Sequence, residues 1–192
     1  MKKSLFTIKS IAACAIYTGT SALFIAISLP ALAHVTLEYQ VANAESYYKA
    51  TLRVGHGCEG SPVKQIIAVI PAGVQGAKPM PKAGWNLDIT REKLAEPYDN
   101  HGKKITEDVT RITWTAKTKD DYLQDAQYDE FVLRAKLPSK SGMVYWPVSQ
   151  VCEQGRTDWT QIPSADQKLS DLKTPAAALE ILPVAGSGEH KH

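Results

Sequence analysis

His34 is the residue whose place in the sequence most directly suggests chemistry. It follows Ala31-Leu32-Ala33, a small-residue pattern typical of a signal-peptide cleavage site. Cleavage after Ala33 would free the α-amine of His34 beside its own imidazole, and these two nitrogens can chelate one metal ion. Nitrogen donors in a tetragonal arrangement suit Cu(II), which also stands highest in the divalent affinity order. The sequence therefore predicts a copper-binding amino terminus.

Residues 1–33 have the three parts of a secretory signal. Lys2 and Lys3 give a positive start, and an apolar stretch follows that is densest from 22 to 32. The alternative is an uncleaved membrane anchor, but polar residues 18–21 interrupt the run and no basic stop follows it. We therefore predict export and cleavage, which would yield a soluble periplasmic protein without a membrane anchor.

The composition after cleavage excludes several classes of partner and reaction. Removing 33 of the 192 residues also removes three lysines and no acid, so the formal net charge falls from +2 to −1. A nearly neutral chain without basic clusters gives no electrostatic reason to bind nucleic acid. The sequence also contains no nucleophile elbow, phosphate-binding loop, dinucleotide fingerprint or zinc-protease helix motif.

Two cysteines remain in the processed chain, because Cys14 leaves with the leader. Cys58 and Cys152 would meet an oxidising compartment, where a pair of thiols most readily forms one disulfide. A pair of thiolate metal ligands and two free thiols are the alternatives.

Strand patterns dominate the sequence from His34 to Ile162. Runs with period-two alternation or short apolar character are separated by glycine- and proline-rich turns. This pattern predicts an all-β fold, an antiparallel immunoglobulin-like β-sandwich over residues 34–163. The predicted strands are Val35–Tyr39, Tyr48–Val54, Ile66–Ile70, Arg111–Ala116, Glu130–Leu137 and Met143–Val148.

Residues 164–192 differ in character and are predicted to form a C-terminal extension. Asp171 to Leu182 is alanine-rich with a proline near its start, which favours one short helix. Residues 186–192 are small and polar and predict a disordered tail. His190 and His192 in that tail are either solvated or a loose metal-binding pair.

Several stretches together resemble the YcnI-like family of periplasmic or surface copper-binding proteins, long classed as a domain of unknown function. The resemblance covers nearly all of residues 34–163, and it is the combination of stretches that is specific. The matching stretches are His34–Leu37, Tyr47–Cys58, Ile70–Val74, Lys82–Trp85, Tyr128–Phe131, and Pro147–Glu153 running on to Trp159.

The resemblance implies that one Cu(II) binds through a single-histidine brace. Carried over to this sequence, it implies His34 as the chelating residue, Trp159 against the copper and Glu130 as the acidic neighbour. The alternative for Trp159 is a core aromatic residue, the commoner place for tryptophan in a sandwich. The other tryptophans are assigned to packing: Trp85, Trp114 and Trp146.

The function that follows is storage, delivery or homeostasis of copper in the periplasm, without catalysis. A periplasmic copper chaperone or a membrane copper transporter is the expected partner for delivery. A copper-dependent oxidase of the polysaccharide-monooxygenase type would need a second imidazole, for which the candidates are His56 and His101. His56 lies two residues before Cys58, whereas His101 lies in a polar stretch and is expected to be exposed. The third alternative is a metal-free adhesion or assembly module.

Overall fold

The computed structural model describes residues 34–184. The predicted signal peptide, residues 1–33, and the predicted disordered tail with His190 and His192 lie outside the described residues. Within residues 34–184, no helix is long and apolar enough to cross a membrane.

The described chain is built from strands, which confirms the all-β prediction. Two three-residue 3₁₀ turns, Lys119–Asp121 and Leu169–Asp171, are its helical elements. The strands are β1 Thr36–Leu37, β2 Val41–Asn43, β3 Tyr47–Val54, β4 Val63–Val69, β5 Gln75–Pro79, β6 Trp85–Asn100, β7 Lys103–Ala116, β8 Asp129–Lys136, β9 Gly142–Trp146, β10 Val148–Cys152, β11 Arg156–Trp159 and β12 Ala177–Leu182.

The strands form three sheets around one apolar core. Their strand orders are β1-β3-β8-β5, β11-β10-β4-β7-β6 and β2-β12-β9. Phe131 of the first sheet packs edge-on against Trp85 and Trp114 of the second, with ring centroids 5.0 and 5.6 Å apart. These contacts join the two larger sheets face to face as a sandwich. The packing role predicted for the two tryptophans and for the buried Trp146 is confirmed.

Strand β3 shows how the sequence determines which face is buried. Tyr48, Ala50 and Leu52 point into the core, whereas Lys49 and Arg53 lie on the other face and are exposed. This alternation follows from the period of two in a strand. A shift by one residue would bury the two charges, so the sequence fixes the antiparallel register of β3 with β8.

Strands β6 and β7 form the longest hairpin of the fold. The hairpin turns at His101 and Gly102, whose φ angles of 53° and 81° are both positive. Two positive φ angles in a two-residue loop match a type I′ turn, whose twist suits the flanking strands. His101 is exposed at this tip, as predicted. The four residues between Lys93 and Tyr98 bulge out of the ladder on β6.

The helix predicted from Asp171 to Leu182 is wrong, because this segment contains strand β12. Strand β12 pairs antiparallel with β9 and parallel with β2. Its residues alternate, with Ala177, Leu179 and Ile181 buried against the core and Glu180 exposed between them. The helix propensity of the alanines is a few tenths of a kcal/mol per residue, which apolar burial on one face outweighs.

Cys58 and Cys152 form a disulfide, which confirms that prediction. The bond joins the loop after β3 to the end of β10, and the two residues are 94 positions apart in the sequence. Closing a loop of this length stabilises the folded state by about 4–5 kcal/mol in the chain-entropy description.

Two leucines on opposite faces of β12 test whether this strand belongs to the core. Leu179 is 0% exposed and Leu182 is 39% exposed. Replacing Leu179 with alanine leaves a cavity, so we expect Leu179→Ala to lower the free energy of unfolding by about 2–5 kcal/mol. Leu182→Ala is the matched control, with an expected loss within about 0.5 kcal/mol. Urea titration measures both, and equally small losses would show that the segment is not part of the core.

Candidate metal centre

His34 lies two residues before the start of the first strand. Val35 is 1% exposed and anchors the chain in the core, so the backbone next to His34 has a fixed position. Strand β1 is an edge strand of its sheet, and β11, which ends at Trp159, is an edge strand of the other large sheet. The candidate site therefore lies where the edges of two sheets meet.

The structure brings His34 and Trp159 into contact. Their ring centroids are 5.2 Å apart and the ring planes are inclined by 75°, which is an edge-on arrangement. The Nε2 atom of His34 is buried and makes no hydrogen bond within the described part of the chain. The other ring nitrogen, Nδ1, is the one on the backbone side of the imidazole. Nδ1 is therefore the ring nitrogen of His34 that the buried contact leaves for other partners.

The indole of Trp159 is held in place by Gln150, a residue that sequence reasoning did not single out as functional. Trp159 Nε1 donates a hydrogen bond to Gln150 Oε1 at 3.0 Å, and both side chains are buried. The two residues lie diagonally across the β10–β11 pair, where their side chains share one face. The bond fixes the rotation of the ring that faces His34.

The other end of the Gln150 amide binds the segment that contains the second histidine candidate. Gln150 Nε2 donates to the backbone oxygen of His56 at 2.5 Å. The Nδ1 atom of His56 contacts the carbonyl oxygen of Gly57, so its ring is also engaged locally. The Sγ atom of Cys58 lies 3.6 Å from the Gln150 carbonyl oxygen. The disulfide and the Gln150 amide thus both join the loop that contains His56 and Cys58 to strand β10.

A separate polar group lies on the opposite face of β10 and β11. Ser149 Oγ donates to Asp158 Oδ1 at 2.5 Å, and Arg156 Nε donates to the same oxygen at 2.7 Å. The Ser149 hydroxyl and, after it, the Arg156 guanidinium hold the pKa of the Asp158 carboxyl below its usual value. These contacts secure the pairing of β11, the strand that carries Trp159.

Glu130, the predicted acidic neighbour, contacts other residues. Its carboxylate accepts a hydrogen bond from the Tyr128 hydroxyl and lies 3.9 Å from Arg53 Nε. Thr36, Arg53 and Glu130 are consecutive register partners across β1, β3 and β8. Strand β3 therefore lies between the strand that begins after His34 and the strand that carries the carboxylate. Among the described residues, the contacts of Glu130 do not include His34.

The described residues contain no cluster of side-chain metal ligands. Between residues 34 and 184, no group of three or more His, Cys, Asp or Glu side chains is placed to hold a metal ion.

A comparison with known families assigns the chain. The model of a family described as a domain of unknown function, DUF1775, matches residues 34–181. The chain belongs to this family. The membership confirms the YcnI-like resemblance drawn from the sequence motifs.

Two relatives add to this assignment. The chain is 25% identical over 138 residues to the copper-binding protein CutI of Bacillus subtilis (strain 168), covering 71% of this chain and 60% of that protein. The chain thus spans about three fifths of the length of this relative. A solved structure from Nocardia farcinica, described as an uncharacterized protein with an immunoglobulin-like fold, matches with a TM-score of 0.59. It is 24% identical and covers 77% of this chain and 97% of its own, which confirms the predicted fold.

The amide of Gln150 can be tested by removing its hydrogen-bonding atoms at nearly constant size. Gln150→Leu would leave Trp159 Nε1 and the His56 carbonyl buried without partners, so we expect a loss of about 1–3 kcal/mol in the free energy of unfolding. The indole N–H resonance of Trp159 should shift in a proton–nitrogen correlation spectrum. Ser149→Ala, one residue away on the other face, is the control that should leave this resonance in place. An unchanged resonance in Gln150→Leu would contradict the assigned hydrogen bond.

Proposed function

We propose that the processed chain binds one Cu(II) ion through the freed α-amine and Nδ1 of His34, for storage, delivery or homeostasis of copper in the periplasm. The observation that carries this proposal is the edge-on contact between His34 and Trp159, with Nε2 buried. The buried nitrogen is turned away from solvent, which leaves Nδ1 and the amine as the chelating pair. The relative CutI, named as a copper-binding protein, supports the same metal.

The donor chemistry of the site fits a copper ion. The two nitrogen donors come from one residue, so the site needs no cluster of acidic or sulfur ligands. Among divalent first-row metals, Cu(II) has the highest affinity for nitrogen donors of this kind. Trp159 cannot donate an electron pair from its indole nitrogen, because that lone pair belongs to the aromatic π system. The indole N–H donates to Gln150 instead. The role of Trp159 is to exclude water from one side of the site and to limit the number of further ligands.

Glu130 is proposed as the acidic group that compensates the charge of the ion. Its carboxylate is partly exposed, and its pair with Arg53 spans 3.9 Å. Exposed pairs of this kind are worth about 0–1 kcal/mol, so giving up the Arg53 pair costs little. The Tyr128 hydroxyl, which also donates to this carboxylate, can exchange that bond for one to water. The proposed partners for delivery are a periplasmic copper chaperone or a membrane copper transporter.

A comparison of two N-termini tests the chelate directly. The chain beginning at His34 offers an amine and Nδ1, whereas a chain that keeps Ala33 moves the amine one residue away. We expect the affinity for Cu(II), measured by competition with a chelator of known affinity, to fall by at least about 100-fold in the longer form. His34→Ala at the first position is the control that keeps a free amine and removes the imidazole. Equal affinity of the two forms would reject the proposal.

The roles proposed for Trp159 and Glu130 predict different effects on copper binding. Trp159→Phe keeps an aromatic ring without the N–H, so we expect copper to remain bound with an altered electron paramagnetic resonance spectrum. Glu130→Gln keeps the shape and removes the charge, and we expect about a tenfold loss of affinity. Glu153→Gln, an exposed acid on another strand end, is the matched control. Equal losses in both glutamine variants would show that only the net charge matters.

A further inference from the structure

A row of three cations crosses the outer face of the first sheet. Lys49 and Lys78 are both register partners of Arg134, which lies on the strand between them. Directly opposed residues point to the same face, with Cβ atoms about 5 Å apart. All three side chains are exposed. Like charges in directly opposed positions destabilise a sheet, so this row has an energetic cost to the fold.

No acid compensates this row. Lys136 lies two residues beyond Arg134 on the same strand and face, which adds a fourth cation. Within residues 34–184, none of the four takes part in an ion pair. Elsewhere on the same sheet Arg53 does face an acid, Glu130. The charge is therefore concentrated at one end of β3 and β8.

A cleft of about 170 Å³ opens beside this row. One wall is the sheet, where the Arg134 guanidinium lies 4.1 Å from the ring centroid of Tyr47 and is thereby held flat. The other wall comes from the end of β6, which supplies Tyr98 and Asn100. No acidic side chain lines the cleft. The polar side chains that line it are Gln75, Lys78, Asn100, Arg134 and Lys136 together with the two tyrosines.

The wall that carries Tyr98 is fixed by a buried carboxylate behind it. Asp108 Oδ2 accepts hydrogen bonds at 2.7 Å from the Tyr98 hydroxyl and from the backbone nitrogen of Gly76. Its Oδ1 atom accepts from the backbone nitrogen of Val109, with Arg91 3.9 Å away. Burial and the bond to Asp108 raise the pKa of Tyr98 to about 12, so the phenol stays protonated at neutral pH. Asp108 thus directs its carboxylate oxygens to groups behind the wall and forms no ion pair with the cations that line the cleft.

We propose that this cationic cleft, lined by Lys78, Arg134 and Lys136, binds a phosphate group, carried either by free phosphate or by a lipid headgroup. A guanidinium fork and two ammonium groups offer more donors and more charge than one carboxylate can match. A phosphate monoester has three terminal oxygens and a charge between −1.5 and −2 near neutral pH, which suits this set. The cleft, at about 170 Å³, is large enough for one such group.

The cleft is separate from the candidate metal centre. Arg53 is the register partner of Thr36, in the strand that follows His34. Lys49 lies four residues before Arg53 on β3, so the two residues are about 14 Å apart along the strand. His34 lies beyond Arg53. Phosphate binding and copper binding can therefore be measured independently, and this inference does not rest on the proposed function.

Thermal unfolding in the absence of copper tests the cleft. A ligand that binds the folded state raises the unfolding midpoint, so the processed chain should be more stable in inorganic phosphate than in chloride of equal ionic strength. We expect R134Q/K136Q to lose at least tenfold in phosphate affinity while it still folds, because two repelling charges are removed. K117Q/K173Q, which removes two exposed lysines that do not line the cleft, is the control and should bind within twofold of the parent chain.

A second measurement distinguishes the two sources of phosphate. Sedimentation with vesicles of phosphatidylcholine, with or without phosphatidic acid, reports binding to a phosphate headgroup. A response to inorganic phosphate assigns a free ligand, and binding to the phosphatidic acid vesicles alone assigns the headgroup. The proposal is overturned if neither probe binds, if R134Q/K136Q binds as the parent does, or if K117Q/K173Q loses as much affinity.

Discussion

The buried side-chain amide of Gln150 joins the parts of the chain that form the candidate metal centre. It accepts from the indole of Trp159 and donates to the backbone of His56, so both of its polar ends are satisfied inside the core. A buried amide costs free energy unless both ends find partners, and the native arrangement is the one that supplies them. The position of Trp159, and through it the position of the His34 ring, follows from this constraint. The disulfide between Cys58 and Cys152 joins the loop that contains His56 to strand β10 by a covalent bond.

The candidate metal centre lies at the edges of two sheets, so one side of it is buried and the other side is accessible to solvent. Trp159 is buried at 5% exposure behind the histidine, and the side chains around it have little freedom to move. His34, in contrast, precedes a strand of two residues and is only partly buried. A site with one firm side and one accessible side can take up an ion and release it without opening the sandwich. This division is consistent with the metal transfer that we propose.

Much of the fold could be predicted from the sequence because burial on one face of a strand leaves a period of two. The strand around Tyr48 to Val54 carries most of this alternation, whereas the strand around Phe131 contains an apolar run buried on both faces, and the sequence predicts both. The outer part of β6 carries mostly exposed polar residues and shows no such pattern, so its length could not be inferred. The segment Ala177–Leu182 combines alanines that favour helix with a period-two burial that is visible only once its neighbours β2 and β9 are known. Trp159 was implied by the family resemblance, whereas the role of Gln150 depends on contacts between strands that the sequence does not reveal. The signal for Gln150 was a polar residue within the otherwise apolar inward face of β10.

The parallel pairing of β12 with β2 has a consequence for the order of events in folding. The last strand described completes a sheet begun by the second, so the ladder between them joins residues almost 140 positions apart. Loop closure of this length is slow and comes late, after the local hairpins have formed. A growing polypeptide therefore lacks this sheet until β12 has emerged, and the edge of β9 that pairs with β12 has no partner strand until then. The three-sheet arrangement is consequently incomplete during synthesis and closes only when β12 joins β9 and β2.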